Sequence, residues 1–84
     1  MDKKKILFVD DDNNMLQSLQ RMLAARKNRL DLFFAHDGEE AVEFLEKHDF
    51  NVVVVDYKMP GMDGLTLLGK VRDMNPGARR VLLT

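Results

Sequence analysis

Residues 52–56 read Val-Val-Val-Val-Asp, and no other stretch restricts the fold of this chain as tightly. Four consecutive β-branched side chains favour a strand over a helix. The run does not alternate, so it offers no face to water. Such a strand is expected to be buried on both sides, as a central strand of a parallel sheet is. Parallel strands need crossover connections, and helices usually supply them. The rest of the chain should therefore alternate between strands and helices.

It does. "KILFVD" (Lys5–Asp10) is a short apolar run with no helical period and reads as a buried strand. Met15, Leu16, Leu19, Met22 and Leu23 then recur at helical spacing, with Gln17, Gln20 and Arg21 on the outer face. Asp12 or Asn13 can cap the start of that helix. Leu30–Ala35 is a second, partly alternating strand, expected at a more exposed position. Asp37 caps a second helix with Glu39 and Glu40 in its first turn and Ala41, Val42 and Leu45 facing inward. After the valine strand, Asp63 or Gly64 opens a third helix with Leu65, Leu68 and Val71 inward, and Asn75-Pro76-Gly77 stops it. "RRVLLT" begins a fourth strand. The order βαβαβαβ implies right-handed crossovers and an α/β parallel sheet with helices on both faces, in one domain spanning residues 1–84.

Charge and composition exclude several functions. Lys and Arg total 13 against 14 Asp and Glu, so no basic excess exists to bind a phosphate backbone, and nucleic acid is not an expected direct partner. The chain has no cysteine, which removes thiolate chemistry and disulfides and suits a reducing cytoplasm. The apolar run Ile6–Val9 behind Lys3–Lys5 is too short for a signal peptide core or a membrane span. No G-x-G-x-x-G, P-loop or G-x-S-x-G pattern occurs. His36 and His48 read as isolated surface residues, and Met59, Met62 and Met74 as loop packing and core.

The chemistry is expected at strand ends. Parallel sheets bind ligands outside the carboxyl ends of their strands, where strand order reverses. Asp10 and Asp11 end the first strand, and Asp56 ends the third. If those strands are neighbours, three carboxylates share one shallow cleft. Their mutual repulsion calls for a proton or a cation. An all-oxygen donor set suits a hard octahedral ion such as Mg²⁺. Asp56 stands alone at a central strand end and is the best-placed nucleophile; its attack on phosphorus would give an aspartyl phosphate. Thr84, at the end of the fourth strand, could donate a hydrogen bond to that group. Asp63 before Gly64 reads as a helix cap rather than a ligand.

The segments "ILFVDDD", "DGEEAVEFL", "VVVVDYKMPGMDG" and "VLLT" together resemble the receiver domain of bacterial two-component response regulators, in order and spacing, over the whole chain. The resemblance implies a flavodoxin-like fold. It implies Asp56 as phosphoacceptor, Mg²⁺ held by Asp10, Asp11, Asp56 and the backbone carbonyl of Lys58, and Thr84 as the switch hydroxyl. The implied partner is a histidine kinase or phosphotransfer protein carrying phosphohistidine, and the implied compartment is the cytoplasm. The chain is then a signalling module and not an enzyme, with any enzymatic effector beyond Thr84. Against the family pattern, the last strand with its lysine and two helices are expected to be missing. The fourth strand would then be an open edge, and a homodimer through it is the expected assembly.

Two alternatives stand beside this. One is a non-phosphorylated module of the same fold that only dimerises. The other is a haloacid-dehalogenase-type phosphatase using Asp10 and Asp12, although Asn14 stands where that family prefers threonine.

Overall fold

The computed structural model describes residues 3–59 and 61–83. Four strands and three helices alternate: β1 (Lys4–Val9), α1 (Asn13–Leu23), β2 (Leu30–Ala35), α2 (Gly38–Lys47), β3 (Val52–Asp56), α3 (Gly64–Met74) and β4 (Arg79–Leu83), with a 3₁₀ turn over Ala24–Arg26 after α1. All pairings are parallel and the strand order is β2-β1-β3-β4. The two elements on either side of the β1–β3 pair thus run to opposite edges of the sheet. The alternating pattern implied the parallel α/β sheet, and the family resemblance implied this flavodoxin-like strand order.

Each helix begins where a side chain can satisfy its free N–H groups. Asp12 accepts from the Asn14 and Met15 amides, Asp37 from Glu40 and Asp63 from Thr66. Asn75 ends α3, and its buried side-chain oxygen also accepts from the Phe50 amide, which ties the end of α3 to the entry of β3. At the same end of the sheet, Asn51 clamps three strands. Its side-chain oxygen accepts from the Lys5 amide, its own amide donates to the Lys5 carbonyl, and its carbonyl accepts from Arg79.

The core lies on one face. Leu7, Val9, Val53 and Val55 point there with no more than 2% exposure, against Ala41 and Leu45 of α2 and Leu67 and Val71 of α3. Burying each such side chain contributes about 1.5–3 kcal/mol. Among the described residues the other face carries α1. There Phe8 stacks on Phe34 with ring centroids 5.5 Å apart, while Ile6, Val52 and Val54 are only half-buried. Val81 and Leu83 on the edge strand β4 are 40% and 46% exposed. The valine strand is therefore central but not sealed on both sides: its unbroken apolar run reports its place in the sheet, not equal cover on its two faces.

Four other expectations change. In α1 only Leu16 is buried, and Met15 and Met22 stand in solvent, so the stripe is narrower than its spacing suggested. In α3 the inward residues are Gly64, Leu67, Leu68 and Val71, and Leu65 is 58% exposed. The helix is phased by Gly64, which lets its first turn touch the sheet, so the stripe runs at i, i+3, i+4 and i+7 from that glycine. His48 is not an isolated surface residue. It is half-buried, with its ring centroid 4.8 Å from that of Phe33 and its Nδ1 3.4 Å from the Lys5 ammonium. Met59 and Met62 pack in or against the core as expected, while Met74 is exposed. Among the described residues no helix is long and apolar enough to cross a membrane.

The phase of α3 is open to direct measurement. Leu67→Ala should cost about 2–5 kcal/mol because it empties a fully buried site. Leu65→Ala should stay within about 0.5 kcal/mol. Urea midpoints for the two variants distinguish them, and equal losses would contradict the phase described.

Candidate functional site

The register of β1 and β3 builds the site. Val9 pairs with Val55, so one residue further Asp10, just past β1, stands beside Asp56, the last residue of β3. Both side chains leave the sheet on the face that carries Phe8 and Val54, because alternate residues share a face. Asp11 follows in the turn. Each of Asp10, Asp11 and Asp56 brings a carboxylate oxygen into one group whose members all lie within 4.8 Å of one another. Asp10 and Asp56 are half-buried and Asp11 is exposed.

The turn after β1 is held by its own carboxylates. The Asp10 amide donates to the Ala35 carbonyl, and one Asp10 oxygen accepts from the Asp12 amide at 3.0 Å. The Asp12 side chain caps α1, accepting from the Asn14 and Met15 amides. Burial raises the Asp10 carboxyl above its ordinary value, and the charges of Asp56, Asp11 and Asp12 raise it further, against the lowering effect of the Asp12 hydrogen bond.

Two ionised carboxylates about 4 Å apart repel by about 1 kcal/mol in water and about 4 kcal/mol at an effective dielectric of 20. A divalent cation removes that repulsion. The donor set here is oxygen only, with a raised Asp10, and it fits a hard cation such as Mg²⁺ or Ca²⁺. Of the other residues singled out in the sequence, Lys58 is exposed in the loop two residues beyond Asp56. Asp63 serves as the cap of α3. Thr84 lies outside the described residues.

Sequence reasoning placed Gly64 at a helix start and missed its contact with the sheet. Gly64 opens α3 against the end of β3. A Cβ placed on it would stand 2.7 Å from the Asp56 carbonyl oxygen, 2.9 Å from Leu82 Cδ1 and 3.0 Å from Tyr57 Cα. The only signal was a glycine at the first position of a helix, where many residues serve.

A family model described as "Response regulator receiver domain" matches residues 6–84. The chemotaxis protein CheY-3 of Vibrio cholerae is 41% identical over 73 residues, which cover 81% of this chain and 52% of that protein. The signal receiver domain of an HD domain-containing protein from Pseudomonas fluorescens superposes with a TM-score of 0.90 at 34% identity, covering 99% of this chain and 65% of that one. A response regulator from Burkholderia pseudomallei, solved with a phosphorylated aspartic acid, calcium ion and citrate, gives 0.87 at 29% identity, over 98% of this chain and 47% of that one. The chain spans about half the length, or less, of the curated relatives it matches.

The crowded charge has a measurable cost. A carboxyl raised on folding opposes stability wherever it is ionised, and that opposition fades as pH falls through its folded value toward the unfolded 3.8. Asp10→Asn keeps an oxygen for the Asp12 amide and removes the charge. In chelator it should melt at a higher temperature than the parent at pH 7, with the gap closing toward pH 4. A lower melting temperature for the variant at pH 7 would contradict the electrostatics described.

Proposed function

This chain belongs to the response regulator receiver domain family, and from that premise we propose that Asp56 accepts a phosphoryl group from a phosphohistidine donor. The donor is a histidine kinase or a phosphotransfer protein. The observation that carries this is the convergence of Asp10, Asp11 and Asp56 at the carboxyl ends of two neighbouring parallel strands. The Burkholderia relative, with its phosphorylated aspartic acid and calcium ion, supports the same reading.

The chain's own residues act by position. An Asp56 oxygen forms a bond to phosphorus as the P–N bond to the donor imidazole breaks, and the electron pair leaves with the imidazole nitrogen. Asp56 is the last residue of a central strand, so its Cα is held before the donor arrives, which lowers the entropic part of the barrier. Asp10, Asp11, Asp56 and the Lys58 carbonyl would hold Mg²⁺, which when bound offsets the negative charge on the transferring oxygens. Asp10 remains tied to the Asp12 amide and keeps its second oxygen for that role. Thr84 would donate its hydroxyl to the phosphoryl group. On this reading the domain is a phosphoacceptor and not an enzyme, and it works in the cytoplasm, in keeping with a chain without cysteine.

Phosphorylation has a direct test. Acetyl phosphate with Mg²⁺ should add one phosphoryl group by intact mass, labile to base and absent from Asp56→Asn. An adduct that persists in Asp56→Asn, or that survives base, would overturn the assignment. Asp11→Asn should weaken Mn²⁺ binding by about 10-fold or more.

A further inference from the structure

We infer that Gly64 is a positioning residue for Asp56: the missing side chain at 64 sets where the Asp56–Tyr57 peptide, and with it the Asp56 carboxylate, stands relative to Asp10 and Asp11. This rests on the metal and phosphoryl reading of the acidic cluster.

Gly64 is not needed for backbone freedom, since Gly61 is the only described glycine with a positive φ, at 85°. Its role is close approach. Of the three atoms a Cβ would meet, two are backbone, the Asp56 carbonyl oxygen at 2.7 Å and Tyr57 Cα at 3.0 Å. A rotamer change can move Leu82 Cδ1 aside, but not these. Either α3 retreats or the Asp56–Tyr57 peptide turns.

The surroundings decide which. α3 is anchored by Leu67 and Val71, both at 0% exposure in the core. The peptide sits at the very end of β3, where the strand passes into a loop. Its Tyr57 amide donates to the Leu83 carbonyl at 2.8 Å, and the carbonyl of the next peptide, that of Tyr57, accepts from the Gly64 amide at 3.2 Å. The second bond starts from residue 64 itself, so a side chain at 64 strains the bond that fixes the far side of Tyr57. The Asp56 carbonyl and carboxylate share one Cα, so a turn of that peptide that also displaces this Cα carries the carboxylate out of a cluster that spans only 4.8 Å.

The same helix supplies a control. A Cβ on Gly69 meets nothing within 4 Å, so Gly69→Ala changes the same chemistry without the contact. The experiment compares parent, Gly64→Ala, Gly69→Ala and Gly64→Ala with Leu82→Val. Mn²⁺ affinity is read by electron paramagnetic resonance, and folding by circular dichroism and melting temperature. Gly64→Ala should bind Mn²⁺ about 10-fold or more weakly while folded, with Gly69→Ala equal to the parent. Leu82→Val removes the 2.9 Å contact and leaves the 2.7 Å one. It should therefore recover part of the melting temperature lost in the Gly64→Ala background without restoring affinity, a split that a purely structural glycine would not produce. A folded Gly64→Ala, alone or with Leu82→Val, that binds Mn²⁺ like the parent overturns the inference and leaves the cluster's role intact. Failure of both variants to fold assigns the glycine to packing and also overturns it. A parent that binds no Mn²⁺ removes the metal reading itself.

Discussion

The in-register pairing of β1 with β3 is the constraint on which the rest depends. Ile6 to Val9 face Val52 to Val55 one to one. That single alignment puts Leu7, Val9, Val53 and Val55 on the core face together, and it puts Asp10 and Asp56 side by side at the strand ends. A slip of one residue would turn the valine side chains to the opposite face and part the two aspartates. Core and site are thus two results of one register. Charge repulsion at the strand ends is tolerated because aliphatic burial a few residues away holds the register against it.

Much of this was legible in the chain because it follows from local patterns. A run of valines is a strand wherever it sits, and a carboxylate behind each of two buried strands meets its partner once the strands pair. Helix starts were equally plain, since Asp37 and Asp63 stand where free amides need an acceptor. What was not legible depends on distant surfaces. Leu65 and Leu67 are chemically the same, and only the docking of Gly64 on β3 decides which of them faces inward. Met15 and Met22 lie at core spacing, yet both stand in solvent, and Leu16 alone of that helix is buried. His48 gave no motif, and its place against Phe33 is a tertiary result.

The glycines make the same point about scale. Gly61 serves a backbone angle and Gly64 a contact, while Gly69 serves neither. A residue type recognised in sequence as a breaker of helices carries three meanings within nine positions, and only the atoms around each one separate them.

The Asn51 clamp gives the sheet a direction. It joins β1, β3 and β4 at the end where those strands begin, and Asn75 fastens the neighbouring Phe50 amide to α3. The carboxylates stand at the opposite end. That end is tied as well, by the Asp10 amide to the Ala35 carbonyl and the Tyr57 amide to the Leu83 carbonyl. The paired strands are thus fastened at both ends, and the two carboxylates project from a frame whose width is set by backbone bonds and not by the charges themselves.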